Sequence, residues 1–257
     1  LLRKSDAELI DIRRHKMGMV FQSFGLMPHL NVIDNIAFPL KLQGKSESER
    51  YEQAERVIEL VGLQGRENNY PKELSGGQQQ RVGIARSLAV EPDIWFLDEP
   101  FSALDPLIRK QMQDEFLRIQ AKLKKSIVFI THDFHEALRL ADRMAIMRDG
   151  AIVQIGRPVD LILSPVDDYI REFTLEVPWE TILTAADIAE PSDEPLEDLG
   201  RVSHDTLIEK LLHYLGDSNK GVVVEAKDGS VLGVATARGV VKALSAGSDP
   251  DQSSVKI

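Results

Sequence analysis

Two adjacent acids, Asp98 and Glu99, are the residues of this sequence best placed to do chemistry. They follow residues 93–97, Asp-Ile-Trp-Phe-Leu, a short apolar run that favours a buried strand. A carboxylate at the end of such a strand can hold Mg²⁺ opposite nucleotide phosphates, and a second one can polarise an attacking water. Two acids after a core strand also occur in ordinary loops, so the interpretation depends on what surrounds them.

A second candidate site is the run Leu-Ser-Gly-Gly-Gln at residues 74–78, at the start of a predicted helix over residues 76–89. Glycines let the backbone approach an anion closely, and a helix N-terminus favours negative charge. The hydroxyl of Ser75 adds a donor. A serine-capped Gly-Gly turn would explain these residues alone, but the continuation Gln79-Gln80-Arg81 makes a functional site the specific interpretation.

The six histidines offer little for a metal site. His132 and His135 lie three residues apart at a predicted helix start, a spacing that suits a metal pair, but no third ligand lies near them in the sequence. We therefore expect no metal there. The other four are expected to be solvated or structural: His15, His29, His204 and His213.

Composition narrows the class of protein. A chain of 257 residues has room for one large domain and a small one. Its net charge of −10 argues against broad nucleic-acid binding, which needs clustered Lys and Arg. The lack of Cys excludes disulfide and thiol chemistry. No apolar run approaches the roughly 18–20 residues that span a bilayer, so we expect any membrane association to come through a partner.

Strand and helix patterns alternate along most of the chain, which predicts an α/β core with a mostly parallel sheet. The predicted strands are residues 17–21, 93–97 and 126–131, and the predicted helices are residues 46–61, 76–89, 106–123 and a helix that ends near residue 140. A hairpin is predicted over residues 143–155, around the turn Arg148-Asp149-Gly150.

The composition changes near residue 190, where the acidic, proline-containing residues 190–195 indicate a linker. A smaller αβ module is predicted beyond it. Its elements are a helix at 205–215, strands at 221–225 and 231–235, and a helix at 237–244. We accordingly divide the chain into a large domain at 1–170, a linker at 171–200, the module at 201–244 and a disordered tail at 245–257.

Five motifs resemble those of the ATP-binding subunits of ABC transporters, in the same order and with the same spacing, over about residues 9–170. They are residues 74–81 for the signature sequence, 94–99 for the Walker B strand, 102–105 for the D-loop, His132 for the switch histidine and Gln22 for the Q-loop glutamine. The resemblance implies a P-loop NTPase-type ABC ATPase core with a helical subdomain. It also implies a head-to-tail homodimer that sandwiches ATP and Mg²⁺.

The resemblance also implies roles for individual residues. Glu99 would be the catalytic base, His132 would hold the γ-phosphate, and Gln22 would sense the γ-phosphate and Mg²⁺. Asp98 and Gln22 would be the metal ligands. The residues that contact the partner copy's ATP or couple the two sites would be Ser75, Gly76, Gly77, Gln78 and Asp105.

One motif of that family is missing from the sequence: G-x-x-x-x-G-K-[ST], the loop that cradles the phosphates. Gly44-Lys45-Ser46 imitates its end, but Pro39 occupies the place of the first glycine, and Ser46 suits a helix cap. The loop should lie well before Gln22. We therefore expect these 257 residues alone to hydrolyse ATP negligibly, either as a truncated sequence or as a natural partial subunit that serves assembly or presents a signature face.

Several further stretches resemble the importers of glycine betaine, proline, choline and related quaternary amines. They are residues 17–22, 24–29, 31–37, 155–158, 168–173 and 183–188. The resemblance implies a transmembrane permease, an external substrate-binding protein, and a place at the cytoplasmic face of the plasma membrane. Soluble ABC ATPases of DNA repair or translation usually carry two cassettes or coiled-coil insertions, and this sequence shows neither.

Two smaller regions carry expectations of their own. Residues 222–244 resemble half of a cystathionine-β-synthase-type (CBS) repeat, with a plain αβ appendage for dimer contacts as the alternative. Between Gln22 and Ser75 we expect a groove that receives a permease helix. Its candidate residues are apolar, with a buried core role as the alternative: Phe24, Leu26, Met27, Phe38 and Leu40.

Overall fold

The computed structural model describes residues 4–175, 182–191, 196, 198–216 and 221–245. It divides into two compact units, Leu1–Asp133 and Phe134–Ile257. This division does not coincide with the domain limits expected from the sequence, and those limits stay a prediction. Within the described ranges, no helix has the length and apolar character needed to cross a membrane.

The first unit is built on a three-stranded parallel sheet, as the alternating pattern predicts. Its strands are β1 (Met17–Val20), β2 (Ile94–Asp98) and β3 (Ser126–Ile130), in the order β1-β2-β3. Since parallel strands end at the same edge, the residues that follow each strand come together there. The predicted strand at 17–21 is shorter and less buried than expected, with Met19 42% exposed.

Helices cover this sheet and form a separate helical layer. They are α1 (Asp6–Lys16), α2 (Val32–Leu42), α3 (Glu47–Leu60), α4 (Gly76–Ala89) and α5 (Pro106–Leu123), with a 3-10 helix at Pro71–Glu73. The predictions for α3, α4 and α5 are confirmed, whereas α1 and α2 were not predicted. All five α-helices start at a side-chain cap that accepts a backbone N–H three residues on: Ser5, Asn31, Ser46, Ser75 and Asp105.

Helix α4 is the central helix of this unit. It packs against α2 and α3 on one side and against β1 on the other. The approach to β1 is so close that a Cβ on Gly18 would lie 2.5 Å from the carbonyl oxygen of Ser87. The buried Trp95 of β2 donates its indole N–H to the Ser87 hydroxyl at 2.8 Å. These contacts connect β1 and β2 to the last turns of α4.

The second unit begins with helix α6 (Phe134–Leu140) and a hairpin of β4 (Met144–Arg148) and β5 (Ala151–Gly156). The hairpin prediction is confirmed. Asp149 and Gly150 both have positive φ, at 52° and 78°, which is the conformation that a tight hairpin turn requires. Helices α7 (Pro158–Leu163) and α8 (Asp168–Leu175) follow.

A small αβ module completes the second unit. Its elements are α9 (Ala185–Ile188), β6 (Arg201–Ser203), α10 (Ile208–Gly216), β7 (Val222–Glu225), β8 (Val231–Ala235) and α11 (Ala237–Ser245). The sheet order is β6-β7-β8, with a parallel and then an antiparallel pair. Helix α10 begins three residues later than predicted. Of the predicted linker at 190–195, Glu190 pairs with Val234, while residues 192–195 and the predicted tail beyond residue 245 lie outside the described residues.

Candidate functional site

The side chain of Glu99 lies between those of Gln22 and His132. Its Oε2 accepts a hydrogen bond from Gln22 Nε2 at 2.8 Å, and its Oε1 lies 3.0 Å from His132 Nδ1. Gln22 stands two residues after β1, Glu99 one residue after β2 and His132 two residues after β3. The three residues expected to be catalytic thus meet at the carboxyl edge of the sheet.

The backbone of Glu99 is held in an unusual conformation. Its φ is +43°, in the left-handed region that costs a non-glycine residue about 1–3 kcal/mol. Two contacts maintain it: the Glu99 N–H donates to the carbonyl of Ile130 at 2.9 Å, and the Ser102 hydroxyl donates to the Glu99 carbonyl at 2.9 Å. Strain of this kind, held by neighbouring elements, is typical of functional positions.

Asp98 ends β2 and pairs in register with Ile130 of β3, so it lies at the same sheet edge and is half-buried. The described residues contain no group of three or more His, Cys, Asp or Glu that would form a protein-only metal cage. Mg²⁺ usually takes one or two carboxylates and completes its shell with water and substrate phosphates. The donors present, Asp98 and the amide oxygen of Gln22, fit such a site.

The Ser-Gly-Gly-Gln run forms the first turn of α4. Ser75 Oγ accepts the Gln78 N–H at 3.3 Å, and Gln78 Oε1 accepts the Ser75 N–H at 2.9 Å, which makes a reciprocal capping box. Ser75 and Gly76 are exposed, and the N–H groups of the first turn have no acceptor inside the helix. This end of a 14-residue helix is suited to an anion brought by another molecule.

Gly77 leaves little room for a side chain because α4 and α5 come very close. A Cβ there would lie 3.0 Å from Ile108 Cγ2, whereas a Cβ on Gly76 would make an ordinary 3.5 Å contact with Leu104. The side chains of Ser75 and Gln78 bond to each other, whereas Gln22, Glu99 and His132 form a separate set of contacts.

Asp105 caps α5, and its Oδ1 accepts the Ile108 N–H at 3.1 Å. The sequence did not single out Arg109, one turn further on. It donates to the Leu104 carbonyl at 3.2 Å and lies 3.6 Å from the Asp133 carboxylate, next to His132. Arg109 therefore connects residues 102–105 with the residue that follows the candidate histidine.

A cavity of about 540 Å³ lies in the first unit, between α1, β1, α2 and α4. Of the five expected groove residues, Met27 and Phe38 line it. The expectation for Leu40 was wrong, because Leu40 is fully buried in the core. Phe24 and Leu26 are half-buried. Two arginines of α1, Arg13 and Arg14, also line the cavity and were missed by sequence reasoning.

Arg86 of α4, also missed, fixes the loop that follows Gln22. It donates to the carbonyl of Gly25 at 2.6 Å and to that of Phe24 at 3.0 Å. Burial lowers the pKa of the Arg86 guanidinium. Its two carbonyl contacts link this loop to the helix that begins with Ser75 and the two glycines.

The chain is similar to known proteins of one family. The profile of the ABC transporter family matches residues 2–102. The trimethylamine N-oxide transport system ATP-binding protein TmoW of Pelagibacter ubique is 57% identical over 234 residues, which cover 91% of this chain and 68% of that protein. TmoW of Ruegeria pomeroyi is 52% identical over 244 residues, covering 93% and 70%.

More distant matches extend the comparison. The glycine betaine/proline betaine transport system ATP-binding protein ProV of Escherichia coli is 52% identical over 185 residues, 72% of this chain and 46% of that protein. Among solved structures, the dimeric post-hydrolysis state of the ATP-binding cassette MJ0796, bound to ADP and Pi, matches with a TM-score of 0.53 and 34% identity. The match covers 61% of this chain and 68% of that one.

Proposed function

The chain belongs to the ATP-binding subunits of ABC transporters, and from that premise we propose that a full-length subunit, in which these residues are combined with a phosphate-binding P-loop, couples ATP hydrolysis to the import of a small methylated amine. The expected family and its α/β ATPase fold are thereby confirmed. The observation that carries the proposal is the position of Glu99, whose two carboxylate oxygens contact Gln22 and His132 separately.

Glu99 acts as the general base in this proposal. Its carboxylate takes a proton from water, the water oxygen bonds to the γ-phosphorus, and ADP leaves with the electron pair of the broken P–O bond. Because His132 presents Nδ1 to Glu99, its Nε2 is left for a γ-phosphate oxygen. Its side chain is 71% exposed, which leaves it accessible to a nucleotide.

The metal would be held at the same edge. Gln22 gives its amide nitrogen to Glu99, so its amide oxygen remains for Mg²⁺, with the Asp98 carboxylate as the second protein ligand. The ion supplies positive charge against the phosphate oxygens. The positions of Gln22 and Asp98 at the ends of adjacent strands support this assignment.

The first turn of α4 would bind the ATP of a second copy. The exposure of Ser75 and Gly76 supports this, since the N–H groups of Gly76 and Gly77 at the start of the helix have no acceptor within it. The similar MJ0796 structures are dimers, which supports the same assembly. In this homodimer each copy contributes Glu99 to one site and Ser75–Gln78 to the other.

The cavity between α1, β1, α2 and α4 would receive a cytoplasmic segment of the permease. Its apolar lining, including Met27 and Phe38, suits the apolar face of a short helix, and Arg13 and Arg14 suit carboxylates beside that face. The residues on either side of Gln22 contribute to the wall through Phe21 and Gly25. Movement of Gln22 on ATP binding would thus reach the permease, and docking there places the subunit at the cytoplasmic side of the membrane.

The transported solute is proposed to be a trimethylated amine or betaine delivered by an external binding protein. The relatives named for trimethylamine N-oxide and for glycine betaine support this class. The module from β6 to α11 is proposed to be one CBS-like unit. Its strand-helix-strand-strand-helix order and its own buried core, which includes Val224 and Leu211, support that assignment.

Uptake by the assembled transporter tests the function. The full-length subunit is reconstituted with its permease and binding protein in vesicles loaded with Mg-ATP, and uptake of labelled trimethylamine N-oxide and glycine betaine is measured. We expect ATP-dependent uptake of at least one of them that ends with Glu99→Gln. Absence of uptake for both, or equal uptake without ATP, would contradict the proposal.

A further inference from the structure

Gln80, in the second turn of α4, is fully buried, and both of its amide atoms lack a hydrogen-bond partner. Across the ranges that the structure describes, only one other buried side-chain atom is left in this way, the Nε of Arg109. A buried amide without partners opposes folding, since it loses its bonds to water and gains none. Other buried amides of this unit are satisfied: Asn35, for example, bonds to the N–H and carbonyl of Met27.

The position of Gln80 on its helix places it near two functional loops. Residues three and four apart share a helix face, so Gln80 shares one with Gly76 and Gly77 before it and with Gly83 after it. Cβ atoms on Gly76 and Gly83 would lie 3.5 Å from Leu104 Cδ2 and from the Phe24 carbonyl, respectively. Gln80 therefore lies on the face of α4 that meets residues 102–105 at one end and the loop after Gln22 at the other.

Arg109 also lies beside residues 102–105, through its hydrogen bond to the Leu104 carbonyl. It already bonds to the Leu104 carbonyl and contacts Asp133, yet its Nε has no acceptor. Residues 102–105 thus contact Arg109 and the helix face that carries Gln80, and both of these side chains have unused hydrogen-bonding capacity. Ala103, at the centre of the segment, is exposed.

We propose that Gln80 is a positioning residue for residues 102–105, which take a second position where their main chain bonds to the Gln80 amide. This rests on the proposed function, because the second position is the one reached when two copies close on ATP. The physical reason is that in the open arrangement the Gln80 amide is buried without a partner, which raises the free energy of that arrangement. In the closed arrangement the amide is paired, so this cost is absent. The side chain thereby shifts the equilibrium towards the closed state.

The first test compares two glutamine variants of the full-length subunit. Gln80→Met keeps the volume and removes both amide groups, and we expect its Tm to equal or exceed that of the wild type. The matched control is Gln53→Met, at an equally buried glutamine whose amide bonds to the Ala89 carbonyl and to Glu91. Its Tm should fall because it breaks bonds that exist.

Turnover separates a positioning role from a structural one. In the assembled transporter, Gln80→Met should lower kcat for ATP about fivefold, the worth of one hydrogen bond, with KM within about twofold of wild type. Gln53→Met should keep wild-type kcat. A Tm loss in Gln80→Met like that of the control, or an unchanged kcat, would overturn the proposal. An inactive wild type would count against the proposed function instead.

Hydrogen exchange provides a direct readout of the segment. In a Glu99→Gln background with Mg-ATP, the amide of Ala103 should exchange more slowly than without nucleotide. The added Gln80→Met change should remove that protection. Equal protection with and without the glutamine would show that residues 102–105 move independently of Gln80.

Discussion

Gln22 and Glu99, 77 residues apart in the sequence, share a 2.8 Å hydrogen bond at the carboxyl edge of the sheet. The contact exists because β1 and β2 are parallel and in register, with Val20 opposite Leu97. Gln22 and Glu99 each lie just past the end of their strand, so their side chains are close enough to form a hydrogen bond. The loop that is proposed to contact the permease is in this way joined to the proposed base.

His132 should matter for turnover through its free ring nitrogen. His132→Ala removes both the contact with Glu99 and the γ-phosphate ligand, and we expect kcat in the assembled transporter to fall at least about 100-fold. The measurement is phosphate release at saturating Mg-ATP. His135→Ala, an exposed histidine three residues on, serves as the control and should keep wild-type kcat. A similar loss of kcat in both variants would show that His132 has no specific role in turnover.

The two glycines of α4 should respond differently to alanine. At Gly77 a new Cβ would lie 3.0 Å from Ile108 Cγ2, and at Gly76 it would make an ordinary contact with Leu104. We expect Gly77→Ala to be less stable than Gly76→Ala by about 1 kcal/mol, the lower end of the cost of overpacking. Urea unfolding of the full-length subunit measures this difference. A more stable Gly77→Ala would show that α5 yields to the added methyl group.

The cavity residue Met27 should be needed for permease binding. Met27→Asp places a charge on an apolar wall, so we expect loss of co-purification with the permease while ATP binding is retained. Leu107→Asp, at a strongly exposed leucine of α5, is the control and should co-purify normally. Normal co-purification and uptake with Met27→Asp would place the docking surface elsewhere. Leu40→Asp should instead fail to fold, since Leu40 is in the core.

The ion pair of Glu115 and Arg118 on α5 gives a prediction on pH. The hydrogen bond from Arg118 lowers the pKa of Glu115 below its ordinary value of 4.5. A lowered carboxyl pKa stabilises the fold above 4.5, and that contribution is lost as the pH falls through the folded-state value. We expect Glu115→Gln to cost up to about 1 kcal/mol at pH 7 and less as the pH falls below the ordinary carboxyl range.

Thermal unfolding from pH 7 to pH 2 measures this loss. The control is Glu55→Gln, at an exposed acid of α3, which should leave the pH dependence unchanged. A cost for Glu115→Gln that is the same at both ends of the range would contradict the assignment.

Local signals explain why much of the fold was predictable. Helices α3, α4 and α5 each start at a capping side chain, Ser46, Ser75 or Asp105, that is visible in the sequence. Helix α1 was missed although Ser5 and Glu8 form the same capping box, because none of its residues is buried and it has no apolar periodicity to detect. Helix α2 was missed although Asn31 caps it, since Pro39 interrupts the helical pattern.

The candidate site was likewise predictable from the sequence only in part. Glu99, His132 and the glycines of α4 were found from motifs, because each motif is contiguous. Arg86, Arg109 and the unpaired amide of Gln80 depend on which helix faces which loop, and no local pattern encodes that. The burial of Leu40 was likewise decided by packing between helices, which a run of apolar residues does not specify.

The central claim, that Glu99 is the base, is tested most directly by Glu99→Gln in the assembled transporter. The change keeps the size of the side chain and its contact with Gln22 while removing the proton acceptor. We predict that Mg-ATP binds with a Kd near that of the wild type and that phosphate release falls at least about 100-fold, the worth of a positioned base. Retention of more than about a tenth of the wild-type rate would contradict the account.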